Sequence, residues 1–115
     1  MKSKFEIVLL EEVWVFFDIL DEKTKGKIIY NIDKSKYFND PKLFKKIEDE
    51  IWEFRTKYNR VYYRLFAFWD KTDKIDTLVV TTHGMIKRTD KIPKAEIEKA
   101  KAIRTLYFEQ KNKSK

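Results

Sequence analysis

The sequence predicts an α+β domain: an N-terminal strand, two helices, an antiparallel three-strand meander and a C-terminal helix. Three observations predict it. Strand-like runs gather between residues 51 and 83 with spacers of hairpin length between them. Apolar residues recur at helical spacing on both sides of that region. No repeat or long linker divides the 115 residues, so one core is expected. Helices gathered on one face of an antiparallel sheet bury the apolar surface of both. The expected domain is residues 1–110, followed by a flexible basic tail, 111–115.

Each element has its own warrant. "KFEIVLL" is apolar and β-branched, which suits a short strand. In "EEVWVFFDIL", Val13, Phe16, Phe17 and Leu20 share a helical face, although rings and branched residues also suit a strand. "DEKTKGKIIYNIDKSKYF" opens on acidic residues, which complement a helix N-terminus; Gly26 weakens the pattern. "NDPKLFKKIEDE" reads as a turn and a connecting segment. "IWEFRTKYN", "RVYYRLFAFWD" and "KIDTLVVTTH" read as the three strands of the meander, joined at "NR" and "KTDK". Pro93 precedes the last helix, where Ile97, Ala100, Ala102, Ile103, Leu106 and Tyr107 form an apolar stripe.

Composition narrows the function. Net charge is +7, yet residues 1–50 carry 10 Lys/Arg against 11 Asp/Glu. The positive excess therefore lies in the second half, as expected for contact with nucleic acid or an acidic protein surface. There is no cysteine, which excludes disulfides and thiolate metal sites and fits a cytoplasmic location. Glu11 and Glu12 interrupt the first apolar run, so neither a signal peptide nor a membrane partner is expected. No carboxylate cluster suggests a metal, and His83 has no second histidine beside it; no cofactor is expected.

Strand register concentrates the cations. If Asn59 and Arg60 form a two-residue turn, Tyr58 faces Val61, Phe54 faces Leu65 and Trp52 faces Ala67 on an apolar side. Lys57 then opposes Tyr62, and Arg55 opposes Arg64, on the other side. A four-residue next loop sets Ala67 against Leu78, Leu65 against Val80, Arg64 against Thr81 and Tyr62 against His83. Like charges directly opposite destabilise a sheet, so a bridging anion such as phosphate is expected between the arginines, with Glu53 relieving part of the repulsion. Gly84 offers a sharp backbone turn after His83. Lys87 and Arg88 follow it.

The residues "WEFR" (52–55), "YRLFAF" (63–68), "HGMIKRTDKIP" (83–93) and "AEIEKA" (95–100) occur in an order and spacing that resembles a known family. It is the HigB-like, phage-derived branch of the RelE/ParE toxin superfamily, from type II toxin–antitoxin systems. Phe54, Met85 and Arg88 depart from that pattern, where leucine, phenylalanine and lysine are usual. The resemblance implies an endoribonuclease that cleaves messenger RNA, often on the ribosome, and a cognate helix-turn-helix antitoxin that silences it. Carried over by position, Arg55, Arg64, His83 and Lys87 are the catalytic candidates. Lys57, Arg60, Tyr62 and Arg88 are the RNA-binding candidates.

Metal-independent cleavage needs the ribose 2′-OH in line with the adjacent phosphorus, a proton acceptor, a proton donor and cations around the phosphorane. Arg55 and Arg64 suit the phosphate and His83 suits proton transfer. Lys87 adds charge, and Tyr62 offers a stacking surface. Which group is acid and which is base stays open. So do a ParE-like gyrase inhibitor, a non-catalytic RNA-binding module and a plain interaction domain.

Overall fold

A computed structural model describes residues 3–72, 78–87 and 91–113. Its order is β1 (Glu6–Leu9), α1 (Glu11–Asp18), α2 (Glu22–Ser35), β2 (Phe44–Glu48), β3 (Ile51–Tyr58), β4 (Val61–Asp70), β5 (Leu78–Lys87) and α3 (Lys94–Lys113). The fold is α+β, as the sequence predicts, but the sheet has five strands in the order β1-β5-β4-β3-β2. The expected three-strand meander is a four-strand one, β2 to β5, with β1 added parallel to β5. The segment expected to be a mere connection supplies β2.

Local chemistry explains the helices. Asp21 caps α2 by accepting from the Thr24 backbone N–H at 2.7 Å. Glu11 and Glu12 occupy the first turn of α1, where the helix dipole favours negative charge. Helix α1 buries Val13, Phe16 and Phe17, as its periodicity predicts. In α3, Ile97 and Ala100 are buried, and Tyr107 packs with Phe108 on the same core. Ala102 and Leu106 of the expected stripe are exposed instead. The helix runs on to Lys113, three residues into the expected tail.

Two cores sandwich the sheet. One joins Phe5, α1 and α2 to Phe54, Leu65, Ala67 and Val79. The other joins α3 to Ile51, Phe66, Phe68 and Val80. The helices therefore cover both faces, not the single face expected.

The β3–β4 register is the one deduced from sequence: Tyr58↔Val61, Lys57↔Tyr62, Arg55↔Arg64, Phe54↔Leu65 and Trp52↔Ala67. Asn59 and Arg60 both have positive φ, 51° and 64°, as the tight hairpin turn requires. The expected β4–β5 register is corrected. Ala67 faces Thr81, Phe68 faces Val80, Phe66 faces His83, Arg64 faces Met85 and Tyr62 faces Lys87. The junction is longer than four residues, because β4 ends at Asp70 and pairs there with Leu78. A bulge at Thr82 then breaks the alternation.

Gly84 is not a sharp turn. It lies within β5 opposite Leu65, with φ in the ordinary range.

Candidate functional site

Alternate residues of β3, β4 and β5 face α3, and that face gathers the candidates. Glu53, Arg55 and Lys57 extend along β3; Tyr62, Arg64 and Phe66 along β4; His83, Met85 and Lys87 along β5. Arg60 is exposed at the adjoining hairpin tip. Arg88 lies outside the described residues. The face thus carries seven of the eight sequence-predicted residues or, for Arg60, its rim.

Internal chemistry partly answers the arginine pair. Glu53 Oε1 stands 3.1 Å from Arg55 Nε, and Glu53 Oε2 stands 3.6 Å from Arg64 Nε. One carboxylate thus bridges both guanidiniums. The side chains of Glu53 and Arg64 are only 1% and 2% exposed, whereas that of Arg55 is 20% exposed. Arg55 also donates through Nη1 to the Pro41 carbonyl at 3.2 Å, which ties it to the segment before β2. The Tyr62 ring lies between two cations: Lys57 Nζ is 5.2 Å and Arg64 Cζ 5.1 Å from its centroid.

Exposure grades the face. Lys57 is exposed, Arg55 and Tyr62 are half-buried, and Arg64, His83 and Lys87 are buried. A ligand arriving from solvent meets Lys57, Tyr62 and the Arg55 edge first.

His83 sits deeper than sequence suggested. Its ring stacks on Phe66 with centroids 4.9 Å apart. Nδ1 is 2.9 Å from the Thr82 hydroxyl, and Nε2 is 3.6 Å from Glu96 Oε2 in the first turn of α3. Burial, reinforced by the nearby Lys99 charge, lowers its pKa below the usual histidine value against the pull of Glu96 and Glu12. The imidazole is therefore neutral at pH 7, the form that can accept a proton.

Thr82 and Glu96 were not among the sequence candidates; Glu53 was not a site candidate either, but the sequence placed it to relieve the arginine pair, and it does. Glu53 had a signal, its alternation with Arg55. Thr82 and Glu96 had none, because one depends on a bulge and the other on helix docking. A cleft of about 810 Å³ lies elsewhere: Trp52, Trp69, Arg104 and Phe108 line it near the β2–β3 turn, and none of the candidates does. Among the described residues, no group of three or more metal-ligating side chains could hold a metal ion.

A protein-family model described as "Phage derived protein Gp49-like (DUF891)" matches residues 15–111. This chain belongs to the Gp49-like family. The match runs from Val15 in α1 to Lys111 in α3 and takes in every residue of the basic face. No curated protein and no solved structure matches the chain. Among the described residues of this Gp49-like protein, no helix is long and apolar enough to cross a membrane.

Proposed function

We propose that this Gp49-like protein is the toxin of a type II toxin–antitoxin system, a HigB-like, RelE/ParE-related endoribonuclease acting on messenger RNA, with the ribosome as its working surface. The observation that carries this reading is the convergence of Arg55, Lys57, Tyr62, Arg64, His83 and Lys87 on one sheet face. Family membership supports it. The toxin domain is residues 1–110, and it acts in the cytoplasm.

In this mechanism Lys57 and the exposed edge of Arg55 receive the scissile phosphate, and Arg64 and Lys87 add positive charge from beneath. Tyr62 orients a nucleotide, while Arg60 and Arg88 hold flanking phosphates. The 2′-OH gives its proton to a base on the face. Its oxygen attacks phosphorus, and the P–O5′ bond breaks. The leaving oxygen takes a proton from a cationic donor, for which Lys87 is the nearest choice in register to Tyr62. Cations stabilise the phosphorane charge better here than in water, because the surroundings are largely buried.

The partner is a helix-turn-helix antitoxin whose acidic segment covers this face or packs on α3. One observation favours a second reading, a non-catalytic RNA-binding module: the imidazole is only 2% exposed. Defined single-stranded RNA, alone and in a translating extract, separates the two. Cleavage leaving 2′,3′-cyclic phosphate and 5′-hydroxyl ends supports the nuclease, whereas RNA bound but intact under both conditions rejects it.

A further inference from the structure

Thr82 is the extra residue of the β5 bulge, since Phe66 pairs with His83 while Ala67 pairs with Thr81. Were β5 regular through Thr82, alternation would put His83 on the side of Val79 and Thr81, toward α1 and α2 and away from Arg64. The bulge also places the Thr82 hydroxyl between two polar atoms. It lies 3.2 Å from the Phe66 carbonyl oxygen and 2.9 Å from His83 Nδ1.

A hydroxyl has one proton to give. A carbonyl oxygen only accepts, so in the Thr82–Phe66 contact the hydroxyl is the donor. If Thr82 donates to Phe66, it must accept from Nδ1–H. The proton of neutral His83 is then on Nδ1, and Nε2 carries a lone pair. Nε2 points toward Glu96 Oε2 at 3.6 Å, with Lys99 of α3 and Glu12 of α1 also acting on the ring. That lone pair is poorly matched to a carboxylate until a proton arrives. Once it does, every contact is complementary: Nδ1–H to Thr82, Thr82 to Phe66, and Nε2–H to Glu96.

We infer that Thr82 is a positioning residue that fixes neutral His83 as the Nδ1–H tautomer, so that Nε2 is the proton acceptor and Glu96 holds the imidazolium it becomes. This rests on the nuclease reading for its catalytic meaning and assigns His83 the role of base rather than acid. In the step itself the ribose O–H bond breaks, the N–H bond forms at Nε2, and the electron pair stays on the attacking oxygen. Access of the hydroxyl requires Glu96 to swing aside, which its 29% side-chain exposure at the start of α3 allows.

The chain has a single histidine, so long-range proton–nitrogen NMR of uniformly ¹⁵N-labelled protein reports this imidazole alone. Above neutrality the wild type should show a protonated Nδ1 and a bare Nε2. Thr82→Ser should keep that pattern. Thr82→Val, which keeps the buried shape but removes the hydroxyl, should move the proton to Nε2. A wild-type protein with its proton on Nε2, or a Thr82→Val protein unchanged from wild type, overturns the tautomer assignment without reference to RNA.

Cleavage is the second arm. Thr82→Val should cut RNA about 100-fold more slowly, the usual scale for a misplaced general base, with Thr82→Ser near wild type. Full cleavage by a Thr82→Val protein whose tautomer has switched overturns the base role. Wild-type protein that shows the inferred tautomer but never cuts RNA refutes the nuclease reading and the base role with it, and leaves the Thr82 assignment standing.

Discussion

At the scale of single residues, Glu53 changes what the arginine pair means. Two guanidiniums in direct register would repel, but a buried carboxylate joins them. Arg64 is consequently part of the fold as well as of the proposed site. Removing Arg64 takes one of two cationic partners from the buried Glu53, which keeps Arg55, so the cost is part of the roughly 3–5 kcal/mol of a fully stranded buried charge. Arg64→Ala should therefore lower stability in urea denaturation by part of that amount, so its loss of activity would not by itself identify a catalytic role; an unchanged urea midpoint would contradict this account. Lys57 and Arg55 are cleaner probes. Lys57 is exposed, and Arg55 keeps one edge in water. Lys57→Ala should leave the urea midpoint within about 0.5 kcal/mol, as exposed substitutions usually do. Its cleavage rate should fall about 100-fold, the scale seen when one donor to a developing charge is lost. A folded Lys57→Ala protein that cleaves at the wild-type rate would remove it from the phosphate site.

Among the elements, β5 shows how much the sequence discloses and where it stops. Apolar alternation and the Asn59-Arg60 turn are local signals, and they specify β3–β4 pairing residue by residue. The β4–β5 pairing depends on a longer junction and on the bulge at Thr82, neither of which leaves a periodic mark. Expecting Thr81 and His83 on the basic face was half right: the bulge keeps His83 there and sends Thr81 to the Ala67 side. Strand β2 was hidden for a related reason. Its apolar residues Phe44 and Ile47 stand three apart, so they face opposite cores and leave no period-two apolar pattern, and the register shifts between Lys46 and Glu48. Gly84 also has a different purpose from a turn. A Cβ there would meet Phe16 Cδ2 and would come within 2.6 Å of Phe16 Cγ and 2.7 Å of Leu65 Cδ2. Its absence lets α1 lie directly against β5. Gly84→Ala should destabilise by about 1–3 kcal/mol through overpacking, read as a lowered urea midpoint. Equal or greater stability would show that α1 moves aside freely.

For the molecule as a whole, α3 closes the basic face, and it is fastened at both ends. Near its start, Lys99 pairs with Glu12 of α1 at 2.8 Å and Glu96 approaches His83. Near its end, Asp70 at the tip of β4 accepts from the Tyr107 hydroxyl at 2.5 Å and from Lys111 Nζ at 2.7 Å, with Thr72 adding its hydroxyl at 2.6 Å. Burial pushes the Asp70 carboxyl up, but Lys111, Thr72 and Tyr107 together outweigh it and hold the group far below the usual carboxylate range. Acid therefore lowers stability through two groups at different pH: His83, whose charged form burial disfavours even with Glu96 beside it, and Asp70, whose contacts to α3 need its charge. A depressed pKa means that the unfolded chain binds the proton more readily, so stability falls as pH drops below the unfolded value. For His83 that loss begins near its ordinary value of 6.5; for Asp70 it begins only near 3.8. Stability against urea, followed from pH 7 downward, should fall in two stages. His83→Gln should remove most of the upper stage. Asp70→Asn should cost about 1.5–3 kcal/mol at neutrality, the scale of hydrogen bonds to a charged group, and should reduce the lower stage. An Asp70→Asn protein with wild-type stability at pH 7 and an unaltered loss in acid would show that the end of α3 is held by packing on Phe68 alone.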